Sequence, residues 1–370
     1  MEGHASNRPS PKEDVAEEEP KVYGSIIGRN LYNSGRPLWT REQFRDFGAQ
    51  LDANPEWLVH TRLNGKKVHF KNQAFGEDAR HWRTKVIFFG WRYLLHPTTH
   101  PGLNFQFCTL GIEQVDTRIK RFGYLLPQHD PNELHRLFHL EKTHWARCEA
   151  RQNIEKLLSN YELPPTINKL VCFGLGNDLI GKYDFGPQHP AALTLREYLV
   201  NRLGHPVRLL TQDPEYTSDT TTVLTREGFE VVGMNGMDGF LEVDENSVVL
   251  SIFVDTHVKE ILADFTRPAV IIDIPFEPQD LDWDKIDWPN IKENPASTYD
   301  VTNPDTPRTE AMFKEYHDAG RWTPRRWGSP GKWVPLWSTE LEVWVRKNGS
   351  RVLNTETPDE TRAESSKEKN

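Results

Sequence analysis

The sequence predicts an α/β protein: a Rossmann-like parallel sheet, strand order 3-2-1-4-5, with an N-terminal α+β extension and disordered ends. Three observations carry this. Short apolar runs alternate with helical patterns from residue 166 to residue 278. Those runs are apolar at successive positions, which suits strands buried on both faces. The segments between them have helix length and helix punctuation, as right-handed crossovers require.

Residues 1–24 are rich in Pro, Ser and Glu and read as a disordered tail. Residues 25–165 form the extension, expected to pack on the core. "LWTREQFRDFGAQLD" begins a helix: Thr40 and Gln43 make a capping box, and Phe44, Phe47 and Leu51 share a face. "KKVHF", "KVIFFGWRYLL" and "LNFQFCTL" read as strands. Asp130, Pro131 and Glu133 open a longer helix, carrying Leu134, Leu137, Phe138, Trp145 and Cys148 toward Leu158, continuous or broken. Pro164-Pro165 ends it and marks the internal boundary.

The core domain spans 166–278. "KLVCFGL" is the central strand, followed by the helix "AALTLREYLVNRLG", closed by Gly204, and the strand "PVRLLTQD". Next come the helix "TSDTTTVLTREG", stopped by Gly228, and the strand "FEVVGM". "SVVLSIFVD", the helix "THVKEILADF" and the strand "PAVIIDIPF" complete the pattern. Residues 279–347 read as an acidic linker and a Trp-rich strap. The tryptophans Trp322, Trp327, Trp333, Trp337 and Trp344 are expected to pack on the domain, and Leu341, Val343 and Val345 alternate with polar or larger neighbours like a strand. Residues 348–370 read as a second disordered tail.

Composition excludes several functions. The net charge of −9 offers no global basic field to nucleic acid or acidic lipid. No stretch approaches the roughly 20 apolar residues of a membrane helix. The amino terminus has no apolar signal core, and the three cysteines, Cys108, Cys148 and Cys172, give no disulfide framework. Cytoplasm or nucleus is the expected location.

Ligands of open α/β sheets sit at the carboxyl ends of the strands. Gly174 and Gly176 turn the chain after the first strand, where glycine lets backbone approach a phosphate. The third glycine of a dinucleotide fingerprint is replaced by Leu179, and the helix follows only about a dozen residues later. Asp213 ends the second strand, where an acid can accept ribose hydroxyls; as the alternative, Asp213-Pro214 opens a turn and Thr217 or Ser218 caps the next helix. S-adenosylmethionine or a nucleotide is the ligand class this pattern suits. Asp255 and His257 are the catalytic candidates, an acid–base pair; the alternative makes Asp255 or Thr256 a helix cap with His257 on the helix surface. His135 and His139 have the four-residue spacing of metal ligands, but "HRLFH" lacks the acid of a zincin, and a solvated histidine face is the expectation, with no metal.

On "VCFGLG", Val171 to Gly176, the helix after Gln188, "DPEYT" from Asp213 to Thr217, and Gly228, the stretch from Trp145 to Phe276 resembles the sensitivity-to-red-light-reduced-like (SRR-like) domain family. Its overall layout is similar to fungal members. The sequence departs from the family where a strand-borne Met-Pro-His-Cys reads "VDTH", keeping His257 alone. The resemblance implies a regulatory protein connected with circadian timing, light responses or haem metabolism, acting through protein partners or a sensed metabolite, and brings no established reaction. The competing expectation is a methyltransferase-like enzyme using S-adenosylmethionine.

Overall fold

The structure is a computed structural model and describes residues 30, 33–76, 82–91, 107–116, 130–177, 179, 188–252, 254, 256–274, 306–322, 340–347 and 351–352. The first tail and the expected linker at 279–305 lie outside them.

The centre is a seven-stranded, mostly parallel sheet. Four strands alternate with helices as the sequence predicts: β6 (Lys169–Phe173), β7 (Arg208–Gln212), β9 (Ser247–Ser251) and β10 (Val270–Asp273). A short β8 (Glu230–Val231) follows β7. With β11 (Tyr316–Trp322) and β12 (Leu341–Arg346), the neighbour order is β11-β12-β10-β9-β6-β7-β8. β12 runs antiparallel to β10, and β11 antiparallel to β12. The sheet is therefore mixed at one edge. Residues 306–322 and 340–347 are part of the fold rather than a strap laid over it. β12 keeps the expected alternation, with Leu341, Val343 and Val345 buried.

The two faces of this sheet bury different partners. Leu170 and Cys172 of β6 point to one core, while Val171 and Phe173 point to the other. The first core is roofed by α2 (Pro131–Trp145), α3 (Glu149–Ser159), α4 (Gln188–Leu203) and α5 (Ser218–Arg226). Asp130 caps α2 as predicted, Pro131 opens it, and three residues separate it from α3. The second core holds Phe44 and Phe47 of α1 (Arg41–Ala53), Phe240 of α6 (Asp238–Glu242), Ile261 of α7 (Val258–Phe265) and Met312 of α8 (Pro307–Phe313). Two hairpins join it: β1 (Trp57–Thr61) with β2 (Lys67–Lys71), and β3 (Trp82–Phe88) with β4 (Leu110–Asp116).

Some elements differ from expectation. Most of the strand expected at "LNFQFCTL", residues 103–106, lies outside the described residues; a strand covers Leu110–Asp116, preceded by a turn at Phe107, whose φ is +63°. Within the expected second tail, β13 (Arg351–Val352) pairs with β5 (Tyr161–Glu162). Trp322 is fully buried and donates its indole N–H to the carbonyl of Ala150 at 2.8 Å. Trp344 is half-buried against Phe313, ring centroids 4.7 Å apart. Trp327, Trp333 and Trp337 lie outside the described residues.

Candidate functional site

Both site glycines have positive φ, +68° at Gly174 and +74° at Gly176, a backbone only glycine adopts freely. Their surroundings differ. A Cβ on Gly174 would lie 2.3 Å from the Ile252 carbonyl oxygen and 2.5 Å from Val254. Gly174 thus serves the close approach of the chain leaving β9. At Gly176 the nearest atom to such a Cβ is Gln188 Oε1, 4.0 Å away. Among the described residues, nothing comes closer to a Gly176 Cβ.

The Gly176 N–H donates to Asp213 Oδ2 at 2.7 Å, and the Glu215 N–H donates to Asp213 Oδ1 at 2.8 Å. Asp213 is buried, and that burial pushes its carboxyl above the ordinary aspartate value while the Glu215 and Gly176 amides oppose the rise. Beside it Asn177 Oδ1 accepts from the Thr217 N–H at 3.2 Å and from the Thr220 hydroxyl. Thr217 caps α5 by accepting the Thr220 N–H. The carboxyl ends of β6 and β7 are therefore tied by two side chains, Asp213 and Asn177. Of the two sequence readings of "DPEYT", this geometry is that of the alternative: Asp213 opens a turn and Thr217 caps the helix, while the bond from Asp213 to the glycine turn was in neither.

Asn177 and the buried Ser251 hydroxyl went unpredicted, and Thr256, expected as an alternative cap, does not cap α7, whose N-cap is His257 with no side-chain bond. Ser251 ends β9, and Thr256 precedes α7; the Oγ of Ser251 and the Oγ1 of Thr256 have no hydrogen-bond partner among the described residues. Serine within an apolar strand gives no signal to read.

His257 is buried, not on the helix surface. It stacks on Trp39, centroids 6.1 Å apart and planes 26° apart, and its Nδ1 lies 3.4 Å from Glu260 Oε2. The same carboxylate oxygen receives the Trp91 N–H at 3.4 Å. Gly90 permits this, since a Cβ there would lie 2.4 Å from Glu260 Oε2. Asp255, the expected partner of His257, lies outside the described residues. The carboxylate found beside the imidazole is that of Glu260, one helical turn on.

His135 and His139 meet a third residue that spacing alone could not supply. Glu227, at the carboxyl end of α5, has its Oε1 at 2.8 Å from His135 Nε2 and 3.1 Å from His139 Nε2. Its Oε2 accepts from Lys142. Burial would raise the Glu227 carboxyl, but the Lys142 ammonium and the His135 bond hold it below its ordinary value. The expected solvated histidine face is thus a three-residue cluster in which both partly exposed rings meet the Glu227 carboxylate.

The architecture defines an α/β protein with a glycine turn and an aspartate meeting at adjacent strand ends. A model of the SRR1 domain matches residues 152–307, from α3 to the first residue of α8, and this stretch of the chain is similar to that domain. No curated protein and no solved structure matches the chain. Among the described residues, no helix is long and apolar enough to cross a membrane.

Proposed function

We propose that this SRR1-like protein is regulatory rather than catalytic, and that it senses a nucleotide-bearing metabolite at Gly174, Gly176 and Asp213. The Rossmann-like reading is supported by the succession β8-β7-β6-β9-β10, which is 3-2-1-4-5 when the five strands are numbered along the chain. In such a sheet the first and second strands flank the crevice where ligands bind. The fungal affiliation rests on the layout of the extension and domain.

One observation carries the sensing role: Asp213 already accepts the Gly176 N–H. Ribose hydroxyls arriving at Asp213 must share or displace that bond. Binding then exchanges a contact inside the protein for a contact to ligand, and it loosens or resets the turn after β6. A ligand shifts an equilibrium only as far as its contacts differ between the two states, and this exchange supplies the difference. The altered turn is what protein partners in cytoplasm or nucleus would read.

The test is thermal unfolding with S-adenosylmethionine, NAD and ATP, followed by calorimetry of whichever ligand shifts the transition. A ligand at a hundred times its dissociation constant stabilises by about 2.7 kcal/mol, a readable change. Methyl transfer from S-adenosylmethionine to any acceptor in the same sample would favour the enzyme reading instead.

A further inference from the structure

We propose that His135, His139 and Glu227 form a zinc(II) site that staples α2 to α5. His135 and His139 stand one turn apart on α2, so both rings leave the same face. Glu227 comes from the end of α5, almost a hundred residues later. The ligand atoms of all three lie within 4.8 Å of one another. Both imidazole Nε2 atoms aim at a single carboxylate oxygen, Oε1, at 2.8 and 3.1 Å.

Those distances are close to what the metal requires. Zinc bonds of about 2.0–2.1 Å in a tetrahedron put neighbouring ligand atoms roughly 3.3 Å apart. The two ring-to-Oε1 distances reach this by moving each ring a few tenths of an ångström outward, while the two Nε2 atoms, within 4.8 Å of each other, settle to the same separation. Two imidazoles and one carboxylate suit zinc by ligand type, with water in the fourth position. Exposure agrees: the Glu227 side chain is 7% exposed, while His139 is 51% exposed and leaves an open approach. Lys142 holds the other oxygen, Oε2, and so presents Oε1 alone to the metal. It acts as a positioning residue and also as a repelling charge.

When zinc binds, each Nε2 gives its lone pair to the metal. A neutral ring carries its proton on Nδ1, and a protonated ring releases one proton to solvent, so affinity falls as the solution is acidified. Because α2 precedes the matched domain and α5 lies within it, the metal holds the extension to the domain.

The experiment is a zinc titration of the full chain against a chromophoric chelator, in wild type and in His135→Ala, His139→Ala and Lys142→Met. Wild type should bind one equivalent and melt several degrees higher with zinc. Each histidine variant should bind at least a hundredfold more weakly, with an unchanged circular dichroism spectrum and urea midpoint in chelator. Lys142→Met should bind roughly tenfold more tightly, because a unit charge near the dication is gone. Absence of stoichiometric binding in wild type overturns the proposal. Undiminished binding in both histidine variants also overturns it, placing any zinc elsewhere, such as at Cys148.

Discussion

Gly174 and Gly176 share one backbone conformation but owe it to different neighbours, so substitution separates them. Among the described residues, alanine at Gly176 meets no close neighbour, leaving the strain of positive φ, about 1–2 kcal/mol. Alanine at Gly174 meets the same strain and also the Ile252 carbonyl, so the loss there should exceed the Gly176 loss by at least about 1 kcal/mol. Urea unfolding of the two variants checks the order, and equal losses would contradict it. At Asp213 the two oxygens accept two different N–H groups. Asp213→Asn should therefore cost about 1–3 kcal/mol, because an amide has one acceptor oxygen and one backbone N–H then faces an NH2 group. The aspartate and the glycines were legible because their residue types mark turns and ribose sites. Their bond to each other was not, because 37 residues separate them and only parallel pairing of β6 with β7 brings them together.

Among elements, β6, β7, β9 and β10 were readable because both faces are buried and each carries adjacent apolar residues, Leu170 to Phe173, Leu209 with Leu210, Val248 to Leu250 and Val270 to Ile272. β11 was not. It reads "YHDAGRW", buries mainly its two ends, and carries a register shift between Asp318 and Gly320. The short helix α8 has a capping box at Thr306 and Thr309, yet at seven residues it shows too little periodicity to identify. Trp322 joins the unpredicted strand to α3, filling space over Ala150 and bonding its carbonyl. Trp322→Ala should therefore destabilise by about 3–5 kcal/mol, measured by urea unfolding. A loss under 1 kcal/mol would mean that β11 is not fastened there. Burial also sets the protonation of the helix and strand histidines. Burial lowers His189 on α4 to about 3, and burial, then the Arg62 charge, lowers His60 on β1 to about 4. The unfolded chain takes up these protons near pH 6.5 and the folded chain does not, so stability is complete above that pH. It is lost as pH falls, by about 1.4 kcal/mol per unit for each histidine within its window. Asp213 and Asp264, raised by burial, act in the opposite sense in acid. The difference between wild type and His189→Gln isolates the histidine: it should shrink as pH falls from 6.5 toward 4. A constant difference in urea midpoint would contradict the assignment.

At the scale of the whole molecule, the matched segment 152–307 is not a self-sufficient body. The second face of its sheet is covered by Trp39, Phe44, Phe47, Phe88 and Leu110 from the extension, and the edge of β10 is covered by β12. A fragment of 152–307 should expose that face, and an exposed apolar face of this size favours aggregation. A sharp, cooperative melt of the soluble fragment would contradict this. On either side of Pro164-Pro165, Leu163 and Ile167 lie in the same core. The central claim is that a metabolite is sensed by exchange at the Asp213–Gly176 bond, and calorimetric titration tests it most directly. The ligand that shifts the melting temperature, among S-adenosylmethionine, NAD and ATP, is titrated into wild type and into folded Asp213→Asn. The account predicts saturable binding to wild type and at least tenfold weaker binding to the variant. No binding by any of the three, or equal affinity for the two proteins, would contradict it and leave Asp213 as a turn residue.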